Sequence, residues 1–114
     1  MTQGYKFKIE KENAGYVFRL YPNNNNKQQI ASSMIYDSKA NCKNALEQFK
    51  SFVKTNNIEA FLKIEKIGHK FVPSIVNNGK TLFHRMDLPY DNDKDQCNKW
   101  IERIKNNIDA PLKG

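Results

Sequence analysis

The chain has 114 residues, 39% of them apolar and 27% charged, which suits one compact globular domain and excludes a disordered protein. Two cysteines are too few for a disulfide scaffold, and no apolar run approaches the roughly 18 residues of a membrane span. The net charge of +7 is uneven: residues 1–58 carry nine Lys or Arg against four Asp or Glu (+5), and residues 59–114 carry ten against eight (+2).

The first twelve residues are charged and alternating, so no signal peptide is expected in them and a cytoplasmic location is the default. Within them Tyr5, Phe7 and Ile9 alternate with Lys6, Lys8 and Glu10, the period of a half-buried strand. Glu12, Asn13, Ala14 and Gly15 supply a turn, and Tyr16, Phe18 and Leu20 alternate with Val17, Arg19 and Tyr21 in a second strand. Pro22 and the asparagines 23–26 form a loop, since asparagine tolerates left-handed backbone and proline cannot serve a central ladder. Residues 28–34 read as a third strand, leading through Tyr36 and Asp37 to Ser38, a good helix N-cap. Cys42, Ala45, Leu46, Phe49 and Val53 then follow i, i+3, i+4, i+7 and i+11, the apolar stripe of a helix that fades near Thr55.

Adding 55 to the stripe gives Cys97, Trp100, Ile101, Ile104 and Ile108, all apolar, and Lys8, Ile9, Glu10, Lys11 recurs as Lys63, Ile64, Glu65, Lys66. The cap repeats as Asp93, with Gln96 three positions on, as in a capping box. In the second copy Leu62 and Ile64 stand where Phe7 and Ile9 stood, and Gly68 takes the turn role of Gly15. Residues 70–76 form the second strand, where Pro73 suggests a sheet edge or a bulge. Asn77, Asn78 and Gly79 signal a hairpin, residues 81–86 the third strand, and residues 87–92 a longer approach to the second helix. The expected fold is α+β: a tandem duplication of a β-β-β-α unit, with antiparallel sheet, two helices on one side and pseudo-two-fold symmetry. One domain of two repeats, about 4–58 and 59–110, ends in a short tail, 111–114; Trp100 should be buried against the sheet.

Phe7 to Ile9, then Gly15, Tyr16, Val17, Phe18, Arg19 and Leu20, then the asparagine loop, then Ile30, Ala31, Ser32, Ser33, Tyr36 and Ser38 together resemble the YegP-like family. The resemblance implies a small bacterial protein of unknown function built from tandem strand-rich units, each closed by one helix. It carries over no catalytic residues. The second copy departs from the pattern, with Phe71, Val72 and Pro73 set against Phe18, Arg19 and Leu20, and with His84, Arg85 and Met86 in place of the serines.

Chemistry is sparse. His69 and His84 are 15 positions apart and both cysteines fall on helix core faces as reduced thiols rather than a bridge, so no metal site is expected. Ser32 and Ser33 have no obvious base or orienting group and read as solvent-facing strand hydroxyls. Asp87, Asp91, Asp93 and Asp95 lack the glycine and closing glutamate of a calcium loop, and the five glycines form no phosphate loop. No catalytic residue and no cofactor is therefore assigned, and the chain is read as a small non-enzymatic interaction module, a homodimer through open sheet edges or a partner of another protein. The alternative is weak nucleic-acid or polyanion binding: if the outward sides of the first two strands coincide, Lys6, Lys8, Arg19 and Tyr21 form a basic patch with an aromatic, interrupted by Glu10. The positive bias fits that reading and equally fits a solvated, lysine-rich surface.

Overall fold

Two residues, Asn13 and Ala14, join strand β1 (Tyr5–Glu12) to β2 (Gly15–Pro22) in a tight antiparallel hairpin. The computed structural model describes residues 4–23, 30–85, 90–91 and 94–113. Beyond the hairpin come β3 (Ala31–Ser32), helix α1 (Lys39–Thr55), a 3-10 turn (Ile58–Phe61), β4 (Leu62–Ile67), β5 (Lys70–Asn77), β6 (Lys80–His84), β7 (Tyr90–Asp91) and helix α2 (Lys94–Asn106). The strands form one antiparallel sheet in the order β1-β2-β3-β6-β5-β4, with β7 added against β5. Its two halves meet at a single central pair, Ser32 opposite His84.

Both helices pack on one face of this sheet. Phe7, Phe18, Leu20, Ile75 and Phe83 contribute the sheet side of a shared core, and Cys42, Leu46, Phe49 and Val53 of α1 meet them with Cys97, Trp100, Ile101 and Ile104 of α2. The expected stripes are thus the buried faces, except that Ala45 is only half-buried and Ile108 lies in the turn after α2. Trp100 is fully buried, as expected, and its indole N–H donates to the Ile30 carbonyl at 3.0 Å. The α1 cap is also as read: Ser38 is extended (φ −141°) and its Oγ accepts the Asn41 N–H at 3.1 Å. Both cysteines are buried free thiols.

Several local expectations change. Regular pairing of β3 is confined to Ala31–Ser32, yet the chain keeps following β2: Ser33 N–H donates to the Phe18 carbonyl, and Tyr16 and Tyr36 exchange two bonds of 2.7 Å. That approach explains Gly15, where a Cβ would lie 2.1 Å from the Tyr36 carbonyl oxygen. Gly68 does not repeat this role. With His69 it makes the two-residue turn between β4 and β5, the place that Asn13 and Ala14 hold in the first hairpin. Asn78 (φ 54°) and Gly79 (φ 77°) supply the two left-handed residues that a tight β5–β6 turn demands.

Pro73 sits in an interior strand, not at an edge. It falls where the second partner of β5 changes from β6, which pairs residues 74–77, to β7, which pairs residues 70–71, so its missing donor interrupts neither ladder. The bulge lies nearby, between Ile75 and Val76. The 3-10 turn before β4 carries no signal in the hydrophobic pattern. The tail lies outside the helix, as expected, but pairs with the sheet: Phe7 N–H donates to the Pro111 carbonyl and Lys113 N–H to the Phe7 carbonyl, each at 2.9 Å. The asparagine loop at 24–26, the Asp93 cap and the approach at 87–89 lie outside the described residues.

Candidate functional site: the outward sheet face

Alternation along β1 turns Phe7 to the helices and Lys6, Lys8, Glu10 and Glu12 to the opposite face. The hairpin register sets Lys6 opposite Tyr21 and Lys8 opposite Arg19, so the four residues of the basic patch do share one face. Their charges, however, are largely engaged from within. Arg19 Nη1 donates to Glu10 Oε1 at 2.9 Å and to Glu12 Oε2 at 3.2 Å, and only 15% of its side chain is exposed. Tyr21 Oη donates to the same Glu10 oxygen at 2.6 Å, and Lys8 Nζ lies 5.6 Å from the centre of the Tyr21 ring.

The electrostatics follow from this wiring. Burial works to raise the Glu10 carboxyl, but hydrogen bonds from Tyr21 and Arg19 outweigh it and hold the group below its ordinary range. Burial, reinforced by the bond to Glu10, pushes the Tyr21 hydroxyl up to about 12. The patch thus sets three cations against two carboxylates, and both carboxylates are held by Nη1 of its arginine, whose buried Nε has no hydrogen-bond partner. A phosphate at Arg19 Nη1 would have to displace both glutamates.

Across the sheet the same row continues from Arg19 to Ser32 and then His84. The two serines are buried, 5% and 2% exposed, and not solvent-facing as the sequence suggested. Ser32 Oγ donates to the Ser33 carbonyl at 3.1 Å; Ser33 Oγ donates to the Met34 carbonyl at 2.8 Å and accepts the Phe18 N–H at 3.0 Å. Each hydroxyl proton is committed to a backbone carbonyl, so these hydroxyls satisfy backbone at the point where β3 leaves its ladder. A cavity of about 200 Å3 opens here, lined in part by Arg19, Ser32 and His84, with Met34 (45% exposed) and Ile35 (52% exposed) beside it. His69 lies in the β4–β5 turn and His84 at the sheet centre; among the described residues no group of three or more His, Cys, Asp or Glu could hold a metal ion.

Sequence reading placed Glu10 as an interruption of the patch and missed its role, shared with Glu12, as a keeper of Arg19. The signal was present in the hairpin: a two-residue turn after Glu12 fixes the register, and the register puts Glu10 diagonal to Arg19.

Residues 11–59, which span β2, β3, α1 and the end of β1, match a family described as a domain of unknown function, DUF1508. No curated protein matches the chain significantly. The solution structure of yegP from E. coli, a protein of unknown function, superposes with a TM-score of 0.75 at 16% identity, covering 99% of this chain and 94% of that one. A UPF0339 protein from Shewanella oneidensis superposes with a TM-score of 0.73 at 18% identity, covering 96% of this chain and 90% of that one. At these identities the likeness is one of fold.

Proposed function

We propose that this YegP-like chain is a small non-enzymatic interaction module that pairs with a second copy of itself through the open edge of β4. The observation that carries the proposal is an asymmetry between the two sheet edges. At the β1 edge, Phe7 is engaged by the tail through Pro111 and Lys113. At the other edge β4 pairs with β5 alone among the described residues, and its Ile67 is 59% exposed. An exposed strand edge is a template for another strand. Antiparallel pairing about Ile64 sets Ile64 against its own copy and Lys63 against Glu65 twice, opposite charges across the new ladder.

Light scattering should give twice the monomer mass. Lys63→Glu or Glu65→Lys alone should raise the dissociation constant at least tenfold, and the double exchange should restore it. A wild-type monomer at high concentration would sink the β4 pairing. The nucleic-acid alternative rests on the charge bias and on Lys6 and Lys8; retention on labelled single- or double-stranded nucleic acid that fades with salt would support it. Because Arg19 is held by two carboxylates, Lys6→Glu with Lys8→Glu is the variant that should abolish such retention.

The same reading makes the chain one domain of two β-β-β-α repeats, about 4–58 and 59–110, related by a pseudo-two-fold axis. Registers support this. Partners in the first hairpin and in the β4–β5 hairpin correspond by an offset of 55, as in Lys8 with Arg19 and Lys63 with Ser74. Arg19 pairs with Ser32 and Ser74 with His84, so Ser32 and His84 are equivalents, and they pair with each other as residues on a two-fold axis must. In that alignment Phe71 answers to Tyr16 rather than to Phe18. A cytoplasmic place fits the buried free thiols, and no helix among the described residues is long and apolar enough to cross a membrane.

A further inference from the structure

Ala45 and Trp100 stand 55 residues apart at matching places on α1 and α2. Trp100 fills its site completely, with its ring under the start of β3 and its indole N–H on the Ile30 carbonyl. The α1 side holds a cavity of about 200 Å3 instead, lined by the half-buried Tyr36, Ala45, Phe52 and Leu82 of β6, with the buried Phe18 and Phe49 at its base. The difference is one of side-chain size at the equivalent position: a methyl group stands where the other helix puts an indole.

The chemistry of the two sites also corresponds. Since Ser32 answers to His84, Ile30, two residues back from Ser32, answers to Leu82. Leu82 is the extra residue of the β5–β6 bulge: Thr81 pairs with Val76 and Phe83 with Ile75, which leaves Leu82 without a partner in that register. The cavity therefore borders the counterpart of the residue whose carbonyl takes the indole proton. Among the described residues Lys80 is the only ionised one lining it and, with Gln48, is exposed, so the solvent side of the cavity is cationic.

We propose that this cavity binds a planar aromatic acid of indole size, its ring against Tyr36, Ala45 and Phe52 where the other half carries Trp100, and its carboxylate on Lys80. Volume supports the size, because a dry cavity of about 150 Å3 is enough to hold benzene. Aromatic walls favour a flat ring in offset or edge contact. A small pocket that joins aromatic rings to the polar groups of Tyr36, Gln48 and Asn77 and one convergent charge has the composition of small-molecule sites. The match to Trp100 rests on the two-repeat reading, whereas the volume and lining do not.

Calorimetric titration of the full chain with indole-3-acetate, and with indole as the neutral probe, tests this. Indole-3-acetate should bind saturably; Ala45→Trp and the milder Ala45→Leu, which fill the cavity, should weaken it at least tenfold, and Lys80→Ala should weaken the acid about tenfold while leaving indole unchanged. Thermal melts establish which variants are folded; should Ala45→Trp fail to fold, Ala45→Leu decides. Absence of saturable binding by both probes, or undiminished binding in a folded filled variant, overturns the proposal. Binding of benzoate without indole-3-acetate overturns the indole-sized ligand and with it the equivalence to Trp100. The mass measurement is independent of these titrations: a monomer that binds indole-3-acetate removes the β4 pairing and keeps this site.

Discussion

Glu10 decides the chemistry of the outward face. Its one carboxylate oxygen takes hydrogen bonds from both Arg19 and Tyr21, and the stability this supplies depends on pH in a direction that can be worked out. The folded protein holds the Glu10 carboxyl below its ordinary value, so its contribution is present above that ordinary value, near 4.5, and is lost as pH falls through the lower folded one. Tyr21 runs the other way: its hydroxyl is raised from 10.0 to about 12, so its contribution is present below 10 and lost as pH rises toward 12. Urea unfolding of the wild type across pH should show both limbs. Glu10→Gln should flatten the acid limb, and Tyr21→Phe the alkaline one, at a cost near neutrality of about 1 kcal/mol for the lost hydrogen bond. A Tyr21→Phe variant that keeps the wild-type loss above pH 10 would show that Tyr21 is not the group responsible.

Among the elements, α2 links the two halves of the sheet. Trp100 reaches from the second helix to the Ile30 carbonyl beside β3, in the first half of the chain, and Arg85 Nη1 donates to that same oxygen at 3.1 Å. Trp100→Ala leaves a large void and removes one of the two donors on the Ile30 carbonyl. The loss should be about 3 to 5 kcal/mol, read as a lower denaturant midpoint at constant slope. An unchanged midpoint would mean that α2 does not seat this face on the sheet. The amphipathic stripe that made this prediction possible is a local property of the sequence, visible because 3.6 residues per turn brings Cys97, Trp100, Ile101 and Ile104 together whatever the rest of the chain does. The cap at Ser38 and the turn at Asn78 and Gly79 were legible for the same reason: each is satisfied by backbone within a few residues. The 3-10 turn at Ile58–Phe61 was not, because its anchors lie outside it: Ile58 in the core, Phe61 against Phe52 and Glu59 on Lys105.

For the molecule as a whole, one core joins residues of both halves, from Phe7 and Phe49 to Phe83 and Trp100. Phe83 alone touches three aromatic rings of the first half, with centroids at 6.4 Å to Phe7, 5.4 Å to Phe18 and 4.9 Å to Phe49. Unfolding should accordingly be a single transition, with tryptophan fluorescence and far-ultraviolet circular dichroism giving coincident curves. A fragment of residues 4–58, which keeps α1 and three strands but loses Phe83 and Trp100, should show no cooperative melt; an independently folded fragment would mean that the halves are separate domains.

Strand and helix periods, turn chemistry and an offset of 55 are written along the chain, and they suffice for an α+β fold with its buried faces and its family likeness. They suffice because each depends on spacing within one element or on comparison of two stretches of sequence. What faces what is a different kind of fact. Arg19 looks like a free cation in sequence, and tertiary structure makes it the partner of two glutamates; Ser32 and Ser33 look solvated, and the path of the chain beside β2 buries them. The join at Ser32 and His84, the outer place of β4 among the described strands and the cavity beside Ala45 exist only once two distant segments lie side by side. Local hydrogen bonding and hydrophobic period leave that choice undetermined, and it is made by packing two helices and one sheet around one core.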